Sequence, residues 1–113
     1  MAERVHRVTM FKMPKEEDRA QMLERYKTMA AENKRDGKPY ILSMTVGPAE
    51  EDPRSQGYTL VSKTEFASMD DMKYYDNECP AHGQIKALVP SLTVEGILTV
   101  YFKAAATGGA AAK

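Results

Sequence analysis

Along this chain the hydrophobic period switches between two residues and three to four, in the order strand, helix, strand, strand, helix, strand, and that order constrains the fold more than any single residue does. Residues 5–12 read VHRVTMFK, so alternation sets His6, Val8 and Met10 on one face of a strand and Val5, Arg7, Thr9 and Phe11 on the other. Pro14 and the acidic group Glu16, Glu17 and Asp18 suit the first turn of a helix, where a fixed φ and negative charge are favoured. Met22, Leu23, Tyr26, Met29, Ala30 and Asn33 follow at helical steps and give it one apolar stripe over roughly twenty residues. Gly37 is expected to cap this helix in the left-handed region, and Pro39 bars continuation.

A second strand is predicted from Tyr40 to Val46, with Tyr40, Leu42, Met44 and Val46 on one face, ended by Gly47 and Pro48. PAEEDPRSQG reads as a surface loop and Tyr58–Phe66 as a third strand. Ser68 with Asp71 resembles a capping box, so a second helix starts near Met69 and turns Met69, Met72 and Tyr75 inward. Pro80 interrupts it, AHGQIKALVP supplies a further helical turn or two, and Leu92–Phe102 forms the last strand. The result is an α+β, ferredoxin-like βαββαβ domain over residues 1–103, a four-stranded antiparallel sheet with helices on one face, followed by a disordered Ala/Gly-rich tail at 104–113. The more apolar face, bearing His6, Val8, Met10, Leu42, Met44, Leu60, Leu98 and Val100, is expected under the helices. The opposite face, with Val5, Phe11, Ile41, Val61, Ile97 and Tyr101, is too apolar to stay wet and is expected to pack on a second copy.

Counts of residue types exclude much chemistry. Sixteen Lys and Arg balance sixteen Asp and Glu, so no net field draws nucleic acid or an anionic membrane. No apolar run is long enough to span a bilayer, and MAERVHRV lacks the pattern of a signal peptide, which predicts a cytoplasmic protein. One cysteine, Cys79, cannot make an internal disulfide, and two histidines with one cysteine cannot close a four-ligand zinc site. Neither phosphate-binding Gly-rich loops nor metal-ligand spacings occur, so no cofactor is expected.

Proton transfer remains. His82, just past the proline break, titrates near neutrality when unperturbed, and His6 sits mid-strand on the face expected to be covered. Each also has a plain structural reading, as a loop-capping and a hydrogen-bonded core histidine respectively. Tyr26, Tyr40, Tyr58, Tyr74 and Tyr75 offer neutral phenolic donors, although most tyrosines at such spacing are core with a wet tip. A Cys79–His82 dyad is disfavoured because Pro80 separates them.

VHRVTMFKM, QGYTLVSKTEF and above all YYDNECPAHGQIKALVP followed by VEGILTVYF resemble the stress-responsive A/B barrel domain family, over roughly residues 3 to 103. The resemblance implies a homodimeric α+β barrel in which two ferredoxin-like sheets pack face to face. Some members are stress-induced stable proteins, whereas a plant polyketide cyclase of the family closes a linear polyketide by an aldol reaction without a cofactor. By that likeness His82 is the general base, Tyr75 its phenolic partner and His6 a first-strand site histidine. The match departs at three places: the cyclase's tyrosine is six residues before the histidine, where this chain has Asp76; Cys79 stands where the family often has histidine; and Leu60 replaces a pocket histidine. A hydrophobic or aromatic, polyketide-like or phenolic ligand is expected against Tyr26, Met29, Tyr40, Leu42, Tyr58, Leu60 and Met72. A noncatalytic stress-response or ligand-binding dimer and a cofactor-free monooxygenase are the other readings.

Overall fold

The computed structural model describes residues 3–110. Its strands are β1 (Val5–Lys12), β2 (Ile41–Pro48), β3 (Leu60–Phe66) and β4 (Gly96–Lys103), and its helices α1 (Glu16–Glu32), α2 (Met69–Asn77) and α3 (Pro80–Leu88). The sheet runs β2-β3-β1-β4 and every neighbouring pair is antiparallel, the ferredoxin-like α+β arrangement with a third helix added. The expected start of α2 is met: Ser68 Oγ accepts from the Asp71 amide at 3.1 Å. Pro80 opens α3 at its first turn, where a missing N–H leaves no partner unsatisfied. Residues 104–110 are exposed and carry no helix or strand. The rest of the expected tail, 111–113, and the first two residues of the expected domain lie outside the described residues.

The helices cover the sheet face opposite to the one expected. Val5, Arg7, Thr9 and Phe11 are buried on β1, in register with Phe66, Thr64, Ser62 and Leu60 on β3. His6, Val8 and Met10 point to the open face with Val61, Leu98, Val100 and Phe102. Parity misled because two of the covered positions on β1 are polar. Arg7 and Thr9 made the true inner face look like the wetter one. Leu60 therefore belongs with Phe11, inside, and not with Met10. On β2 the register shifts between Ile41 and Ser43, and this bulge breaks the alternation. Leu42 consequently stands exposed on the sheet edge instead of sharing a face with Met44 and Val46.

Helix α1 also stops sooner than Gly37. It ends at Glu32 with Asn33 in extended conformation, while Asp36 and Gly37, at φ 54° and 79°, make a tight turn between the bridged residues Arg35 and Lys38. Asn33 then ties the connection down. Its Oδ1 accepts from the amides of Tyr40 (3.0 Å) and Ile41 (3.2 Å), and its Nδ2 donates to the Ala30 carbonyl. Replacing it by alanine strands those groups below the surface, so Asn33→Ala is expected to cost about 2 kcal/mol in urea unfolding at constant denaturant slope. The core between α1, α2, α3 and the sheet is filled by Met13, Met22, Tyr26, Met29, Phe66 and Tyr75.

Candidate functional site

Ending α2 at Asn77 and restarting the chain at Pro80 leaves the last carbonyls of α2 without partners in their own helix. Two side chains of α3 take them up. His82 Nδ1 lies 2.8 Å from the Tyr75 carbonyl, and Lys86 Nζ donates to the Asp76 carbonyl. A carbonyl only accepts, so Nδ1 carries the proton and Nε2 keeps its lone pair. The imidazole also stacks on the Tyr75 ring, centroids 3.7 Å apart and planes 11° from parallel. Burial pushes His82 down to about 4, against the lift from its bond to the Tyr75 carbonyl, so at neutral pH the ring is uncharged.

His82 forms part of the wall of a cavity of about 450 Å³ between the covered sheet face and α1, α2 and α3. Phe11, Ile85, Val89 and Ile97 make its apolar side, and Tyr26 lies in the same wall with its phenol raised above the usual range by burial, hence neutral. The polar side is centred on Arg7. Its Nη2 donates to Asp76 Oδ1 at 2.8 Å and its Nη1 to Thr9 Oγ1 at 2.8 Å, and Thr9 Oγ1 is 2.9 Å from Thr99 Oγ1. The guanidinium carbon sits 4.9 Å from the centre of the Tyr75 ring, on which His82 also stacks.

The expected site residues are thus only partly gathered. His82 and Tyr26 reach the cavity. Tyr75 lies behind it, fully buried, with its phenol raised by desolvation and its hydroxyl without a hydrogen-bond partner among the described residues; it supplies His82 with a carbonyl and a ring to rest on. Tyr74 turns outward and donates to the Lys34 carbonyl. His6 is on the other side of the sheet, stacked on Phe102 at 5.1 Å and 3.8 Å from Glu65, so it does not converge with His82. Met29, Tyr40, Leu60 and Met72 are packed in the core away from the cavity, Leu42 is exposed, and Tyr58 borders a separate hollow beside the loop after β2. Sequence reasoning placed Arg7 and Thr9 on a face but not in a site. The one signal was a charged residue inside an otherwise apolar alternation. Among the described residues, no three His, Cys, Asp or Glu side chains are grouped so as to hold a metal ion, and no helix is long and apolar enough to cross a membrane.

Comparisons with known proteins agree with this fold. A family model described as the Stress responsive A/B Barrel Domain matches residues 5–102. A protein of Gibberella zeae described as a fusaristatin A biosynthesis cluster protein is 63% identical over 110 residues, covering 97% of this chain and 80% of that protein. Among solved structures, the hydroxynitrile lyase of Passiflora edulis superposes with TM-score 0.73 at 16% identity, covering 96% of this chain and all of its own. A dimeric ferredoxin-like protein of Thermobifida fusca gives TM-score 0.73 at 12% identity, covering 92% and 93%. At such identities these two likenesses concern the fold.

Proposed function

The chain belongs to the stress-responsive A/B barrel domain family, and on that premise we propose that it is a homodimeric, cofactor-independent cyclase or lyase that abstracts a proton from a polyketide-like or phenolic substrate with His82 as general base. The observation that carries this reading is the state of His82. The Tyr75 carbonyl occupies Nδ1, burial keeps the ring neutral, and Nε2 is left as a free lone pair on a side chain that walls a cavity. A cavity of about 450 Å³ suits a ligand of drug-like size. The Gibberella zeae relative's description as a biosynthesis cluster protein supports a small biosynthetic intermediate as substrate.

The basicity of His82 narrows the reaction. A base whose conjugate acid titrates near 4 is weak, and each unit of mismatch with the carbon acid adds about 1.4 kcal/mol to the transfer. Among carbon acids, only a C–H flanked by two carbonyls comes within reach of such a base, and an unactivated C–H bond does not. The imidazolium formed by the transfer keeps its Nδ1–H bond to the Tyr75 carbonyl and faces the developing enolate, which raises its basicity as the reaction proceeds.

A neutral β-diketone, 1-phenylbutane-1,3-dione, serves as probe. Deuterium exchange at its central carbon, followed by proton NMR, is expected to run faster with the protein than in matched buffer. His82→Asn retains an amide where Nδ1 donates and removes Nε2, and is expected to lower the protein-dependent exchange about 100-fold or more. No acceleration by the wild-type protein, or an undiminished rate in a folded His82→Asn protein, would overturn the reading.

A further inference from the structure

Arg7 is 7% exposed, and burying a guanidinium is unfavourable unless its donors find acceptors. Of its five N–H donors the described residues engage two, one each from Nη1 and Nη2, and Nε is buried with no partner among them. The one carboxylate it meets among the described residues, Asp76, does so through a single oxygen rather than as a two-pronged pair and is itself about one third exposed. Lys86, also on the cavity wall, brings a second positive charge. With His82 neutral, Arg7 and Lys86 against Asp76 leave the wall with one positive charge in excess. Thr9 and Thr99 add hydroxyls that bridge to Arg7 along the cavity floor. Such a wall is incomplete without an anion, and a planar fork with unused donors matches a carboxylate.

We propose that Arg7 is the specificity-determining residue of this cavity and that it selects a ligand bearing a carboxylate, so that a keto or phenolic acid anion binds more tightly than the matching neutral ketone or ester, which still enters the cavity. The proposal deepens the proton-transfer reading and rests on it for the identity of the site. The carboxylate is gripped by the free Nη donors, with Lys86 as the second charge, while the apolar side formed by Phe11, Ile85 and Val89 takes the ring or chain. Anchoring the acid at Arg7, on the floor beside the Tyr75–His82 stack, fixes which carbon of the ligand His82 faces. Arg7 would then act on rate through position.

Calorimetric titration with 4-oxo-4-phenylbutanoate and with its methyl ester tests this, because the two differ in the charge and neither needs to be turned over. The wild-type protein is expected to bind the acid about tenfold more tightly than the ester, the worth of a charge-assisted hydrogen bond. Arg7→Met should bring the two within about threefold of each other, by loss of acid binding. Asp76→Asn, which releases the competing carboxylate, should tighten acid binding severalfold and provides the measurement if Arg7→Met does not fold. Equal binding of acid and ester by the wild type, a preference surviving in folded Arg7→Met, or weaker acid binding by folded Asp76→Asn would each overturn the proposal. Failure of proton transfer shows separately, as absence of exchange in the neutral diketone.

Discussion

Between pH 6.5 and pH 4 the protein is expected to lose on the order of 3 kcal/mol of stability that its His82→Asn variant does not lose in the same window. His82 titrates at about 4 when folded and near 6.5 when exposed, because burial disfavours the imidazolium more than the Tyr75 carbonyl favours it. In that interval the unfolded chain binds a proton that the native protein refuses, so stability rises with pH up to about 6.5 and is lost as pH falls toward 4. Glu65 contributes in the same direction but lower down. Its burial opposes ionisation, yet the hydrogen bonds from Arg4 and Lys63 hold it below its ordinary 4.5. Subtracting the curves of the two proteins, measured by urea unfolding at one protein concentration, cancels that carboxylate contribution and leaves His82. A parallel pair of curves would mean that His82 takes up its proton in the native state as readily as in the unfolded one, and the neutral base in the cavity would be gone.

That stack of His82 on Tyr75 also shows what the sequence discloses. The order of the elements and the cap at Ser68 were readable because each depends on local periodicity or a local hydrogen bond. The position of His82 was readable because a proline break is a local event too, and the family-like Pro80-Ala81-His82 segment marks it. Its relation to Tyr75, seven residues back, was not, since it depends on how α3 folds across the end of α2. Face parity failed for a different reason. β1 carries apolar residues on both sides, and the polar pair Arg7 and Thr9 that signals solvent in an ordinary strand here lines the buried cavity. Nothing in the alternation distinguishes an arginine that faces water from one that meets Asp76, 69 residues away in the chain. The bulge on β2 is likewise invisible in a run of ILSMTV and reverses Leu42.

Val100→Lys is expected to convert the proposed dimer into a folded monomer. The open face of the sheet is apolar along β1 and β4, where Val8 and Met10 lie beside Leu98, Val100 and Phe102, and the last three are 44%, 49% and 49% exposed. Toward β2 it turns polar, with Ser43 and Thr45 in register with Glu65 and Lys63. A contiguous apolar strip of this kind on a single copy is the surface on which the proposed dimer would form. In a two-fold dimer one substitution appears twice, and Val100 pairs with Val8 in the middle of the strip. Each unpaired buried lysine costs about 3–5 kcal/mol, less what the side chain recovers by reaching toward solvent, so the dissociation constant should rise about 10³-fold or more. Lysine is tolerated on an edge strand, which keeps β4 and the fold intact. Thr28→Lys, on the exposed side of α1, is the matched control and should leave association unchanged. Sedimentation equilibrium at micromolar concentration reads both. A Val100→Lys protein that still sediments as a dimer would place the contact elsewhere than on the open face. Because Ile97 and Thr99 of the same strand wall the cavity while Leu98 and Val100 face away from it, a Val100→Lys monomer that also binds its ligand more weakly would trace the coupling through β4, which like β1 contributes side chains to both surfaces.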